Sequence, residues 1–192
     1  LMRPHAKFIR ELIQQYHCAN VLDYGCGKGL QYVGSWCPGG KTLEEWWGIP
    51  VTKYDPAWPP YATEPMGTFG MVVVTHTLAV IPVSDLSWVV DRLYALAGNG
   101  VVYVAERLGP PKAKLKAGLS PLLAGEWTCE KWMEILWRPG GILYFACRVE
   151  DKVSGAAEMY HYQTRIADSG PRWEPVVWPE HVFPEGDKAA VG

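Results

Sequence analysis

The stretch from Val21 to Gly29, VLDYGCGKG, constrains the fold of this chain more than any other. Its first four residues, Val21–Tyr24, are mostly apolar and predict a buried strand. Gly25, Gly27 and Gly29 follow at alternate positions, so the backbone can turn tightly and a ligand can touch it, because glycine has no Cβ. A strand that leads into such a turn is typical of the ligand-binding edge of an α/β sheet. The stretch therefore predicts an α/β fold with a site at this turn.

Two acidic residues accompany the turn and make the pattern more specific than a lone Gly-x-Gly. Asp23 lies two residues before Gly25, and Asp55 directly follows a second predicted strand, Val51–Tyr54. Because the carboxyl ends of neighbouring parallel strands meet at one edge of a sheet, both carboxylates are candidates for a ligand site. The alternative is that the two acids only form turns at the ends of their strands.

Apolar periodicity along the rest of the chain predicts alternating helices and strands. Helices are predicted over residues 4–17, 42–47, 84–97 and 128–136, and a short helical segment begins at Leu30. Strands are predicted over residues 21–24, 51–54, 69–75 and 101–105, followed by an antiparallel pair, 142–149 and 159–166. This order is typical of an α/β sandwich with a mostly parallel sheet and a C-terminal antiparallel hairpin.

Residues at the predicted helix starts support these boundaries. Thr42, with Glu45 three residues later, matches a capping box, and Ser84 and Thr128 are predicted to cap the helices that follow them. Towards the C-terminus prolines recur and periodicity is lost. We therefore expect one domain over residues 1–167 and a proline-rich, extended or disordered tail over residues 168–192.

Composition disfavours some functional classes. The 192 residues carry a formal net charge of −2, which gives no general attraction to nucleic acid or to a membrane surface. The five cysteines show no Cys-x-x-Cys spacing, so neither a metal site nor a disulfide framework is predicted, and reduced thiols in a cytoplasmic protein are the simplest expectation. No signal peptide is visible, and apolar runs such as residues 71–74 are far too short to span a bilayer.

Over residues 4–166 the chain resembles the class I S-adenosylmethionine-dependent methyltransferases. Residues 21–29 match the first motif of that family, and Tyr54-Asp55 matches its second, acidic motif. Residues 69–82 match the fourth strand of the family and the segment after it. The first two motifs are particularly similar to those of small stand-alone methyltransferases from bacteriophages and marine bacteria, whose natural acceptors are mostly undefined.

The resemblance implies a Rossmann-like three-layer sandwich with a seven-stranded sheet whose last strand is antiparallel to the rest. It implies S-adenosylmethionine as cofactor and S-adenosylhomocysteine as product. Asp55 would accept hydrogen bonds from both ribose hydroxyls, and Pro56-Ala57 would lie beside the adenine. Asp23 would steady the turn and the cofactor's amino group, directly or through water. The cofactor-binding candidates are Asp23, Tyr24, Gly25, Cys26, Gly27, Asp55, Pro56, Ala57, His76, Thr77 and Leu78.

The segment His76-Thr77-Leu78 is expected on the sulfonium side of that cofactor. Methyl transfer needs a base only when the acceptor must lose a proton. His76 is the best candidate for such a catalytic base, because it follows a strand that faces the cofactor and histidine titrates near neutrality. A histidine with no proton role is equally compatible with this position. Tyr32, Trp36 and Trp127 are candidates either for the walls of an acceptor pocket or for the core.

The chain departs from the family pattern in two places. The interval between Asp55 and Phe69 is too short for a full helix and a third strand, so a reduced or absent third strand is predicted. Relatives often carry Asp-Val-Leu-Glu-His-Ile-Pro after the fourth strand, whereas here His76, Ala79 and Val80 replace the acid, the glutamate and the histidine. The sequence therefore defines the cofactor site better than the catalytic residues.

Other functions fit the motifs less well or stay open. A nicotinamide dehydrogenase would require Gly-x-Gly-x-x-Gly, but Leu30 stands at the third glycine position. A P-loop would require Gly-x-x-x-x-Gly-Lys-Ser/Thr, and Gly40-Lys41-Thr42 does not complete it, because Ser35 stands at the first glycine position. Asp55-Pro56-Ala57-Trp58 resembles the Asp-Pro-Pro-Tyr/Trp motif of amino-directed nucleic-acid methyltransferases, but it follows the second strand rather than the fourth. A protein that binds or consumes S-adenosylmethionine without methyl transfer also stays open. We expect a small-molecule acceptor, with nucleic acid as the alternative, and the sequence predicts no oligomeric state.

Overall fold

A computed structural model describes residues 2–108, 128–150, 157–167 and 170–175, and within them seven strands form one sheet. The strands are β1 (Val21–Tyr24), β2 (Val51–Tyr54), β3 (Met71–Thr75), β4 (Val101–Leu108), β5 (Ile142–Glu150), β6 (Ala157–Ala167) and β7 (Gly170–Pro175). Their order across the sheet is β2-β1-β3-β4-β5-β6-β7. Strands β1 to β5 are parallel, and β6 is antiparallel to both of its neighbours. The sheet is thus mostly parallel, as predicted, with an antiparallel C-terminal pair.

Helices lie on both faces of this sheet. Within the described ranges the α-helices are α1 (Ala6–Gln15), α2 (Leu43–Trp47), α3 (Val83–Leu96) and α4 (Cys129–Leu136). Short 3₁₀ helices lie at Arg3–His5, Leu30–Tyr32, Pro59–Tyr61 and Leu78–Val80. None of the helices in the described part of the chain is long and apolar enough to cross a membrane.

Strand β3 contributes side chains to two hydrophobic clusters, one on each face of the sheet. Met71 and Val73 pack in a cluster with α1 and α2, whereas Val72 and Val74 pack in a cluster with α3 and α4. Because successive side chains of a strand point to opposite faces, a strand covered on both faces needs a continuous apolar run. The buried valines of β3 meet that need, and the helices on both faces agree with the predicted α/β sandwich.

Two predicted helix caps are present. The Thr42 hydroxyl accepts from the Glu45 N–H at 3.3 Å, and Oε2 of Glu45 accepts from the Thr42 N–H at 2.7 Å. This reciprocal pair is the capping box that the sequence predicts at the start of α2. The Thr128 hydroxyl accepts from the Lys131 N–H at 3.3 Å and caps α4 in the same way.

The prediction that Ser84 caps α3 is wrong. The helix begins at Val83, and the carbonyl of Pro82 accepts from the N–H groups of Asp85 and Leu86. Ser84 therefore already lies in the first helical turn, and its hydroxyl bonds the neighbouring Asp85 carboxylate at 2.9 Å.

The direction in which the chain winds through the sheet reverses at β1, which lies between β2 and β3. In open α/β sheets the loops diverge at such a reversal and leave a crevice outside the carboxyl ends of the strands, where ligands bind. Residues 55–68, all of which the structure describes, contain the 3₁₀ helix Pro59–Tyr61 and no strand. The predicted loss of a third strand is therefore confirmed.

The C-terminal part of the sheet contains one strand that the sequence did not indicate. β7 lies within the stretch predicted as an extended or disordered tail, and it pairs antiparallel with β6. Residues 176–192 of that predicted tail lie outside the described residues. The expectation that the last strand is antiparallel to the rest is therefore wrong for this sheet. The antiparallel strand is β6, and the last strand, β7, runs in the direction of β1 to β5.

Cys129 and Cys147 form a disulfide, which corrects the expectation of five reduced cysteines. Cys129 begins α4 and Cys147 lies on β5, against which that helix packs. The two residues are 18 positions apart in the chain, so no motif spacing reveals the pair. Cys18, Cys26 and Cys37 are free and buried. Cysteine usage therefore no longer supports a cytoplasmic location, which stays a prediction.

Candidate functional site

The glycine turn after β1 contacts the acid at the end of β2. The Gly27 N–H donates to Oδ2 of Asp55 at 2.8 Å, and the Ala57 N–H donates to Oδ1 at 2.9 Å. The N–H groups of Gly25 and Cys26 both donate to the carbonyl of the residue before Asp55, at 2.7 Å and 3.0 Å. The two strand ends are thus joined by hydrogen bonds, and Asp55 lies beside the turn as their positions in the sequence predict.

The three glycines of the turn share a backbone conformation but differ in their surroundings. Their φ angles are 82° at Gly25, 59° at Gly27 and 68° at Gly29, a region that disfavours residues with a Cβ. A Cβ on Gly25 would lie 2.3 Å from the Thr77 side chain, and one on Gly29 would lie 2.8 Å from the Tyr61 ring. At Gly27, apart from the glycine itself and its two neighbours in the chain, no atom of the described residues lies within 4 Å of that position. Gly25 and Gly29 are therefore covered by the protein itself, and Gly27 faces open space.

The Asp55 carboxylate keeps acceptor capacity beside that open space. A carboxylate offers about four lone-pair positions. Two backbone N–H groups use one position on each oxygen, and the residue is only partly buried. The carboxylate can therefore accept from a vicinal diol while it still holds the turn.

Asp23 lies beneath the turn and is fully buried. Its Oδ2 accepts from the Tyr32 hydroxyl at 2.8 Å and from Nε2 of Gln31 at 2.9 Å. Gln31 also donates to the Cys26 carbonyl at 3.1 Å, so Asp23 supports the turn through this side chain. Oδ1 of Asp23 has no hydrogen-bond partner among the described residues, and burial raises the pKa of this carboxyl to about 6. Asp23 therefore supports the glycine turn, as predicted, and its Oδ1 keeps the capacity to accept a hydrogen bond.

The segment after β3 lies against the glycine turn. His76 adopts a φ of 56°, which is uncommon for a residue with a Cβ, and its N–H donates to the Ala105 carbonyl at 2.8 Å. The Thr77 hydroxyl donates to the Gly25 carbonyl at 3.1 Å. The Leu78 side chain is buried in the core beneath α3, so among the predicted site residues of this segment only His76 and Thr77 are partly exposed.

The His76 ring lies beside a buried polar pair. The ring centroids of His76 and His5 are 6.0 Å apart, with the ring planes inclined by 58°. Nδ1 of His5 and the Tyr103 hydroxyl are 2.7 Å apart and share a hydrogen bond, and both residues are buried. His76 is thus only partly surrounded by solvent and is contacted from the α1 side of the sheet.

Glu106 is a buried acid of this site that the sequence interpretation missed. Its Oε1 accepts from the Thr77 N–H at 3.0 Å and from the Leu78 N–H at 2.7 Å. Burial raises the pKa of this carboxyl to about 8, although the backbone donors lower it. The available signal was an acidic residue within the apolar run that begins at Val101, where an unpaired carboxylate would be costly.

The remaining predicted site residues divide into two groups. Pro56 and Ala57 are exposed beside Asp55, where they can flank a ligand. Tyr24 is buried, and its ring centroid lies 4.9 Å from that of the neighbouring Tyr54, so it belongs to the core. The Cys26 thiol is also buried, and burial raises its pKa to about 12, so it is not a thiolate near neutral pH.

Two of the three aromatic candidates for an acceptor pocket, Tyr32 and Trp36, make hydrogen bonds within the protein. Tyr32 bonds Asp23, and Nε1 of Trp36 donates to the Gln31 carbonyl at 2.9 Å. Trp127 lies outside the described residues. Tyr61, which covers Gly29, is the aromatic residue that the structure adds to the site.

Comparison with protein-family models gives no match, and a search of curated proteins finds no significantly similar sequence. A functional interpretation therefore has to rest on the geometry at the carboxyl ends of β1, β2 and β3.

Proposed function

We propose that this protein is a class I S-adenosylmethionine-dependent methyltransferase. The observation that carries the proposal is the contact between Gly27 and Asp55, at the point where the winding of the sheet reverses. It puts a carboxylate with free acceptor positions next to a glycine that faces open space. Both features suit a nucleoside. Its ribose can donate two hydroxyl hydrogen bonds to the carboxylate, and the rest of the ligand can pack against a backbone that carries no side chain.

In this proposal the residues of the site have separate tasks. Asp55 accepts from the ribose hydroxyls, and the Gly27 backbone receives the part of the ligand next to the ribose. Asp23 supports the turn from beneath through Gln31, and Pro56 and Ala57 flank the base. The bound cofactor would supply a methyl group already activated on a sulfonium, so the protein mainly has to orient an acceptor and exclude water.

His76 is the proposed base for acceptors that must lose a proton. It lies next to Thr77, whose hydroxyl reaches the glycine turn. Substitution by asparagine tests this role, because asparagine tolerates a positive φ but does not titrate. The His76→Asn variant is expected to keep cofactor affinity and lose turnover. Unchanged turnover would assign His76 a purely structural role.

A protein that binds S-adenosylmethionine without transferring its methyl group is the second candidate. The observation that favours it is the scarcity of free polar side chains after β3, since Leu78 is buried and the Thr77 hydroxyl bonds the turn. A nucleic-acid methyltransferase is less favoured. The motif beginning at Asp55 follows β2 in the sheet, and the Asp55 carboxylate bonds backbone N–H groups there.

Titration calorimetry with S-adenosylmethionine and S-adenosylhomocysteine, followed by incubation with methyl-labelled cofactor and cell extract, tests the proposal. A methyltransferase binds both ligands and produces a labelled product. Binding without labelled product would support the second candidate. Absence of binding to either ligand would overturn both, and label in nuclease-sensitive material would identify a nucleic-acid acceptor.

A further inference from the structure

A continuous series of hydrogen bonds connects the carboxyl ends of β1, β2 and β3 with Glu106, which lies within β4. Oε1 of Glu106, on β4, accepts from the N–H groups of Thr77 and Leu78, which open the 3₁₀ helix after β3. A single buried oxygen therefore holds the start of this helix. The side chain is 2% exposed, so bulk water does not compete for these bonds.

Thr77 transmits this constraint to the glycine turn. Its hydroxyl donates to the Gly25 carbonyl at 3.1 Å and approaches the Thr75 carbonyl at 3.3 Å. Its side chain also packs so closely over Gly25 that even a methyl group there would collide with it. A displacement of Thr77 would therefore displace the turn as well.

The glycine turn also contacts Asp55. The Gly25 N–H donates to the Tyr54 carbonyl at 2.7 Å, and the Gly27 N–H donates to Asp55 at 2.8 Å. The connected residues thus run from Glu106 on β4 through Thr77 and the turn to Asp55 after β2. Each hydrogen bond in this series joins residues that are far apart in the sequence, with separations of 29 positions for Glu106 and Thr77, 52 for Thr77 and Gly25, and 28 for Gly27 and Asp55.

The backbone of His76 shows that this arrangement is under constraint. A residue with a Cβ holds a φ of 56° only when the surrounding structure imposes it. The N–H of His76 donates to Ala105 and the next two N–H groups donate to Glu106, so three consecutive donors are held by adjacent residues of β4. The constraint originates at Ala105 and Glu106, two adjacent residues within β4.

We propose that Glu106 is a positioning residue for the nucleoside site, acting through Thr77 on the glycine turn rather than by touching the ligand. This inference rests on the proposed function, because it assumes that the nucleoside binds beside Gly27 and Asp55. Its consequence is that removing the acceptor at position 106, on β4, weakens cofactor binding at Asp55, which follows β2.

Two variants of nearly equal size separate positioning from packing. Glu106→Gln keeps an oxygen that can accept from both N–H groups, whereas Glu106→Leu fills the space without an acceptor. Amide hydrogen exchange of Thr77 and Leu78 reports on the first link, and the Kd of S-adenosylhomocysteine from calorimetry reports on the site. We expect the leucine variant to lose amide protection and to bind about tenfold more weakly, and the glutamine variant to bind within about twofold of the wild type.

Wild-type affinity in the leucine variant would overturn the proposal while leaving the proposed function in place. Absence of binding in the wild type would overturn both, so the two failures are distinguishable. If the leucine variant does not fold, Thr77→Val tests the next link, because it keeps the shape of the side chain and removes its hydroxyl. That variant is also expected to bind about tenfold more weakly, and wild-type affinity in it would overturn the proposal.

Discussion

The Gly27 N–H and Oδ2 of Asp55 are 2.8 Å apart, which makes the carboxylate a structural partner of the turn as well as a candidate ligand group. The structure therefore supports both interpretations of this acid, because a turn-forming aspartate and a ribose-binding aspartate would share this contact. The two roles of Asp55 predict different effects of a substitution. Loss of a ribose-binding role lowers ligand affinity, whereas loss of a turn-forming role lowers the free energy of unfolding.

Replacing Asp55 by asparagine is expected to weaken S-adenosylhomocysteine binding by roughly 10- to 100-fold, because hydrogen bonds to a charged acceptor contribute about 1.5–3 kcal/mol. Calorimetry gives the Kd, and a urea titration of the same protein gives the free energy of unfolding. Asp85→Asn is the matched control, since Asp85 is an acid at the start of α3. Equal affinity in the Asp55 and Asp85 variants would leave Asp55 with the structural role alone.

Gly27→Ala and Gly39→Ala form a second matched pair. The two glycines have φ angles of 59° and 74°, and at each of them no described atom outside the glycine and its two chain neighbours lies within 4 Å of an added Cβ. Each alanine is expected to lower the free energy of unfolding by about 1–2 kcal/mol through backbone strain. Only Gly27→Ala should also weaken S-adenosylhomocysteine binding, and calorimetry on both variants checks this. Equal binding in the two would mean that no ligand approaches Gly27.

Gly25→Ala is expected to lower the stability of the protein, because Thr77 packs against this glycine. Its Cβ would lie 2.3 Å from the Thr77 side chain, so the free energy of unfolding should fall by about 3 kcal/mol, more than for Gly27→Ala. Urea denaturation of Gly25→Ala, Thr77→Gly and the double variant measures the coupling between the two positions. We expect a coupling of about 1–3 kcal/mol. Strict additivity would contradict the close contact.

Local signals were sufficient to predict the elements that form the site. β1 and β2 have the predicted bounds, and the capping box at Thr42 depends only on residues three apart. The contact of Asp55 with the turn follows from one topological rule about the carboxyl ends of parallel strands. These features need no knowledge of side-chain packing.

The remaining features depend on residues that are distant in sequence. Glu106 bonds the Leu78 N–H 28 positions away, and Thr77 covers Gly25 52 positions away. Nothing in the composition of either segment indicates these pairings. The sequence therefore predicts ligand contacts at both Gly25 and Gly27, although the structure shows the Thr77 side chain covering Gly25.

The disulfide between Cys129 and Cys147 predicts the number of free thiols. Denatured without reductant, the protein should react with a thiol reagent at three cysteines, and after reduction at five. Loop closure over 18 positions is expected to contribute about 3 kcal/mol, so reductant should lower the Tm of the wild type. The Cys129→Ser variant should show no further decrease in Tm with reductant, whereas Cys37→Ser should respond like the wild type. Five reactive thiols before reduction would contradict the disulfide.

The two buried carboxyls predict how stability depends on pH. Burial raises the pKa of Asp23 from 3.8 to about 6 and that of Glu106 from 4.5 to about 8. Between the unfolded and folded pKa values the native state binds more protons than the unfolded state. Their contribution to stability is therefore largest below about pH 4, and it is lost as the pH rises to about 8.

Urea denaturation between pH 5 and 9 should accordingly show a decrease on the order of a few kcal/mol up to about pH 8, followed by a plateau. Glu106→Gln carries no titrating group, so its curve should flatten between pH 6 and 8 while the Asp23 contribution below pH 6 stays. Lys131→Gln, a substitution at an exposed site on α4, should retain the wild-type slope. A rise in wild-type stability from pH 6 to 8, or an unchanged slope in Glu106→Gln, would show that Glu106 is already ionised in the folded protein at neutral pH.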